Sequence, residues 1–236
     1  MRRLAFVVGS AFSLIGVGAS FAAAASSEDR FCSGASFSDT PALNVGRIKA
    51  EAGKVNFRKN GDAANACPST VAGCQEKAYL VPGDLVVLGV AKGDFVCVDY
   101  ETAKGGRGGW LPASAIEPAP AVTDPTSWTG KWKRIEADIS IETAGGGLKA
   151  EGSASFGSLD PDRVKRGAVN SGEFAGPLRV KGGEATFTDK DADPNEPDAT
   201  CRLRMARAGE VLFVQDNMQC GGFNVSFSGL YRRAGK

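Results

Sequence analysis

The chain contains no histidine among its 236 residues. That removes the commonest general base, the usual partner of a serine or cysteine nucleophile, and the commonest zinc ligand. Other catalytic patterns are missing as well. No Ser-x-x-Lys falls on a credible helix, and no carboxylate pair stands in an apolar context. The six cysteines include no Cys-x-x-Cys, so the common mixed zinc sets have no donors. Asp189, Asp191 and Asp193 have calcium-loop spacing, but Pro194 and Thr200 stand where such a loop needs Gly and Glu. A solvated acidic loop is the expectation there. These absences predict a protein that is not an enzyme and that carries no cofactor and no metal.

Charge of one sign is also lacking. There are 28 basic and 27 acidic side chains; two of the basic ones, Arg2 and Arg3, lie near the N-terminus. Without those two the count is 26 against 27, a net of −1. A near-neutral chain has no electrostatic reason to seek nucleic acid. After residue 25 no stretch is apolar enough to cross a membrane as a helix.

What is present begins at the N-terminus. Arg2 and Arg3 precede an apolar run from Leu4 to Val17, and small residues follow to Ala25. That is the order of a signal peptide, residues 1–25, with an A-x-A type cleavage site. The protein is therefore expected in the periplasm or secreted, with no membrane span once the signal is removed. Cys32 lies seven residues beyond Ala25, too far to serve as a lipid anchor.

Three prolines between Pro118 and Pro125 mark a stiff linker. It separates a module at 30–117 from one at 126–236. Both read as all-β. In the first, Tyr79-Leu80-Val81, Leu85 to Val90, Phe95 to Tyr100 and Trp110-Leu111 are short strands joined by Pro82-Gly83-Asp84, Lys92-Gly93-Asp94 and a glycine-rich turn. In the second, about eight strands are separated by glycine turns, the first at Trp128 to Arg134 and the last at Phe223 to Tyr231. Ile135, Ala137, Ile139 and Ile141 are expected on one face. Two small antiparallel β-barrels, the second of about eight strands, are the predicted fold class.

Modular folding pairs Cys201 with Cys220. The remaining four cysteines allow three arrangements. The favoured one closes the loop Pro68 to Gly73 with Cys67–Cys74 and ties the N-terminal arm to a strand through Cys32–Cys97.

The run from Tyr79 to Leu88, then Gly93-Asp94-Phe95-Val96-Cys97-Val98, then Gly108-Gly109-Trp110-Leu111-Pro112 resembles the bacterial SH3-like domain. Val55-Asn56-Phe57-Arg58-Lys59 faintly echoes that family's upstream strand and loop, which in many members helps form the ligand groove. Trp128-Thr129-Gly130-Lys131-Trp132 resembles the opening strand of lipocalin-like exported barrels. The first resemblance implies a module that binds cell-wall peptide or glycan, or one that serves as an interaction module. Tyr79, Tyr100 and Trp110 are its candidate groove residues, and core packing is the competing role for Trp110. The expectation is an exported, non-enzymatic binding protein of the cell envelope, partnered by peptidoglycan or an envelope protein. The alternatives are an inhibitor that plugs a wall hydrolase with second-barrel loops, and a carrier of a small ligand. Arg202 and Arg204 are expected on the solvent side of that barrel, and Arg163, Lys165 and Arg166 in a loop.

Overall fold

The computed structural model describes residues 31–62, 65–102, 105–190 and 199–235. The signal segment, residues 1–25, and most of the acidic loop, residues 191–198, lie outside them.

The first module is one seven-stranded antiparallel sheet. Its strands are β1 (Asn44–Ile48), β2 (Val55–Arg58), β3 (Gln75–Leu80), β4 (Leu85–Lys92), β5 (Phe95–Thr102), β6 (Gly105–Pro112) and β7 (Ile116–Pro118), in the order β3-β2-β6-β5-β4-β1-β7. The sheet curls into a half-barrel and leaves β3 and β7 as edges. Alternation sets its two faces. Val55, Phe57, Leu80, Val86, Val96, Val98 and Leu111 point into the curl and form its core. Trp110, Cys97 and Phe95 point outward, where Cys32 covers them. The tight turns follow from chemistry. Gly83 and Gly93 adopt left-handed φ of 90° and 56°, and the Asp84 carboxylate accepts the Val81 N–H at 2.8 Å.

The second module closes. Its strands are β8 (Gly130–Arg134), β9 (Ala137–Ala144), β10 (Gly147–Phe156), β11 (Asn170–Lys181), β12 (Glu184–Thr188), β13 (Arg202–Ala208), β14 (Val211–Asp216) and β15 (Gly229–Arg233). They form an eight-stranded up-and-down barrel in which β15 returns to β8. One short helix, α1 (Pro161–Lys165), lies in the β10–β11 connection. Apolar residues fill the interior. Phe174 packs against Phe187 at 4.9 Å and edge-on to Phe227 at 5.0 Å, with Trp132, Met205 and Tyr231 around them. At one end two guanidinium groups lie against Trp132, Arg207 at 5.1 Å and Arg233 at 4.4 Å from its ring centre. Both arginines also donate to the Ser127 carbonyl.

Two strand expectations change. Ile135 is half exposed, because the chain turns at Glu136 with φ 57° instead of continuing the alternation. The last strand starts at Gly229, not Phe223. The buried Asp216 carboxylate holds the preceding loop, accepting from the Phe227 N–H (3.0 Å), Ser226 Oγ (2.9 Å) and Ser228 Oγ (2.7 Å).

The disulfides are Cys32–Cys97, Cys67–Cys74 and Cys201–Cys220. The first fastens an arm, residues 31–43, between the modules. Asn60 holds Cys32 by both backbone groups, at 2.6 and 3.0 Å. Asp99 accepts the Ala35 N–H at 2.8 Å, and Gln215 donates to the Ala35 carbonyl at 2.9 Å. Arg204 donates to the Phe37 and Thr40 carbonyls with its guanidinium 4.0 Å from the Phe37 ring. Arg204 is thus on the outer face of the barrel, but it is buried under the arm and not in solvent. Gly108 permits the close passage, since a Cβ there would lie 1.9 Å from the Ser33 carbonyl oxygen. Val87, Leu43 and Ala35 then meet Ala206, Ala208, Val211 and Phe213 in an apolar seam.

The proline-marked stretch runs along this seam. Pro118 ends β7, the Ala119 N–H donates to Val45 at 2.9 Å, and Ala121 sits against Gly183. Asp124 then caps the short 3-10 turn Pro125–Trp128.

Candidate functional site: a cationic cleft on the open sheet

The structure separates the three candidate groove residues. Trp110 is fully buried, and its indole Nε1 donates to Asn60 Oδ1 at 2.8 Å. A ring so enclosed has no free face on which a ligand could stack, so Trp110 holds the arm and the sheet together. Tyr100 follows Val96 and Val98 on the inner face, where it packs against the core. Burial and the neighbouring Asp84 carboxylate raise its phenol above the ordinary tyrosine range. Tyr79 stands on the outer surface of edge strand β3 with the Lys54 ammonium 3.8 Å from its ring centre.

Lys54 leads to a different site. It lines a cleft of about 400 Å³ with Lys49, Glu51, Ala52, Asn56, Arg58, Gln75, Pro112 and Ser114. A shallower cleft of about 500 Å³ adjoins it and shares Lys54, Asn56 and Gln75. The floor is β2. Phe57 goes into the core, so Asn56 and Arg58 face outward. A register shift between Asn56 and Arg58 brings Arg58 opposite Gln75 on one side and Trp110 on the other. Two 3-10 turns, Ala50–Ala52 and Ala113–Ala115, form the walls.

The electrostatics are one-sided. Lys49, Lys54 and Arg58 line the first cleft against the single carboxylate of Glu51. Lys49 Nζ is anchored by the Ser114 carbonyl at 2.7 Å, and Lys54 by the Tyr79 ring. Asn56 Nδ2 donates to the Glu76 carbonyl at 2.9 Å, which fixes its side chain. Arg58 differs from all of these. Its Nε and Nη1 are buried and have no hydrogen-bond partner, and no carboxylate among the described residues reaches it. The nearby carboxylate of Glu76 is already paired with Arg107.

A second carboxylate group lies by the arm. Burial raises Asp99 from 3.8 to about 6, opposed by the Ala35 hydrogen bond and helped by Asp39. Burial and Asp99 raise Glu101 as well. Asp99 is already engaged with the arm, so these groups do not form an open site. Among the described residues no cluster of histidine, cysteine or carboxylate side chains is arranged to hold a metal ion. Of the loop cations, Arg163 lies over Phe156 at 4.7 Å. Lys165 and Arg166 are exposed.

No protein-family model matches this chain, and no curated protein or solved structure matches it either.

Proposed function

We propose that the protein is an exported, non-enzymatic binding protein of the bacterial cell envelope. Its first, SH3-like module presents the Arg58 cleft to cell-wall peptide or glycan. The observation that carries this reading is the cleft itself. It is a polar, cation-lined depression on the strand that echoes the ligand-groove segment of the SH3-like pattern, and its central guanidinium is left unpaired. Three disulfides and the absence of a membrane-spanning helix among the described residues agree with an exported protein. The packed aromatic centre of the second barrel weighs against carriage of a ligand inside it.

The test is co-sedimentation of the oxidised protein, residues 26–236, with purified peptidoglycan. Pelleting that falls as salt rises is the expected result. No pelleting at low salt would remove the wall as a partner.

A further inference from the structure

We infer that the Arg58 cleft is a carboxylate-binding site. This deepens the envelope reading above and rests on it for the biological source of the ligand.

The argument starts from the cost of the empty state. A guanidinium has five N–H donors and is always charged. Withdrawing it from water without a partner is unfavourable, and folded proteins normally answer that with a carboxylate or carbonyls. The buried arginines of the second barrel, Arg204 and Arg207, leave Nε without a partner but spend both terminal nitrogens on carbonyls. Arg207 donates to Ser127 and Gly209, and Arg204 donates to Phe37 and Thr40. Arg58 is half-buried, and its terminal Nη1 as well as its Nε is buried without a partner. Gln75 and Trp110, its cross-strand neighbours, bring no negative charge. The group is held by β2 at the floor of the cleft instead of swinging free in solvent.

The surroundings define the ligand. The flanking groups, Lys49 and Lys54, add positive charge, and each is already oriented by a neighbour. Asn56 and Gln75 supply amides for a polar chain beside the charge. A planar anion with two acceptor oxygens matches a guanidinium fork better than a spherical ion does. The mixed amide and cation lining suits a short peptide or sugar acid that ends in a carboxylate. Glu51 at the same cleft would repel a second carboxylate, so a single negative charge is favoured.

The test uses three probes on the whole oxidised protein, followed by NMR. They are N-acetyl-dialanine with a free carboxylate, the same peptide as its C-terminal amide, and glucuronic acid. The expected result is saturable shifts at the Arg58 Nε–H and at the amides of residues 55–58 and 75. Affinity for the free acid should exceed that for the amide roughly tenfold, the scale of one charge-assisted bond. Arg58→Gln should lose this preference, and Arg58→Lys should retain part of it. Tighter binding of the dialanine assigns the site to peptide ends; tighter binding of glucuronate assigns it to sugar acids. Equal binding of acid and amide by the wild type overturns the inference, and that comparison needs no variant to fold. So does a preference that survives Arg58→Gln.

Peptidoglycan pelleting of the same proteins separates the two readings. Wild-type pelleting that Arg58→Gln leaves intact keeps the envelope role and overturns the site as its cause. A carboxylate preference without pelleting keeps the site and removes the wall as its source.

Discussion

The two modules are built from the same kind of short antiparallel strand, yet they differ in where their polar groups end. The second sheet closes on itself through β15 and β8, so it has no free edge. The terminal nitrogens of its buried Arg204 and Arg207 are spent on its own carbonyls and on the arm, and its interior is packed with aromatic rings. The first sheet stays open, keeps β3 and β7 as edges, and borrows a cover from residues 31–43. It also keeps a guanidinium without a partner. Buried Nε groups go unpaired in both modules, but among the described residues only Arg58 also has a buried terminal nitrogen without a partner. That contrast places the candidate site on the open half of the molecule.

The sharpest way to break this comparison is to remove the cover. Replacing Cys32 and Cys97 by alanine opens a link that spans 65 residues. The expected loss is about 4 kcal/mol from the chain-entropy relation. Hydrogen exchange should show protection lost at amides of β5 and β6 and kept in β10. Equal loss in β10 would show that the two sheets depend equally on the arm.

Next in size is the acid group under the arm. Asp99 is raised from 3.8 to about 6, so the folded form binds its proton more tightly than the unfolded chain. Its contribution is therefore most favourable below about pH 4 and is lost as pH rises toward 6. The swing is on the order of 3 kcal/mol at most, by the free energy of one pKa unit. Asp99→Asn keeps an acceptor for Ala35 and should stabilise the protein at pH 7. It should also flatten the variant's own stability curve between pH 4 and 6 in urea titrations, so that its advantage over wild type grows across that range. An unchanged slope would mean that the arm senses no charge on residue 99.

The smallest effect is expected at the surface. Arg107 pairs with Glu76 and lies over Phe57 at 4.8 Å, with both charged side chains partly exposed. Arg107→Ala should cost no more than about 1 kcal/mol in a denaturant titration. It frees Glu76 at the rim of the adjoining cleft, and it should weaken carboxylate binding through added repulsion, about twofold on the scale of exposed charge pairs.

Much of the fold was legible from punctuation. Gly93, Gly145 and Gly209 each fall in a turn, and seven of the eight barrel strands lie where alternation between such turns puts them. The β-strand at 223–231 was misplaced for a tertiary reason. Nothing in Phe223 to Ser228 signals that Asp216, on the preceding strand, will take its hydrogen bonds. Closure of the second module was legible from its count of about eight strands, although β8 and β15 pair residues about a hundred positions apart; that the first sheet stays a half-barrel with free edges was not. The site was legible only as a region. The stretch Val55 to Lys59 carries the groove-forming echo, and Arg58 is in it. Aromatic residues drew attention instead, because stacking surfaces can be read from residue type. A missing partner cannot be read that way; it is a property of the folded surroundings. Arg204 shows the converse: it alternates like a solvent-facing residue, and only the arm crossing β13 buries it.

The arm has a consequence for how the molecule is assembled. Of the described residues it is synthesised first, yet the second-module part of its seat is made late. Phe37 and Thr40 wait for Arg204, Ala35 waits for Gln215, and Leu43 waits for Glu184 at 3.1 Å. Asn60, Cys97 and Asp99 can hold Cys32 and Ala35 early, but residues 37–43 stay unplaced until most of the sequence has followed. Their docking then reports that both halves are complete.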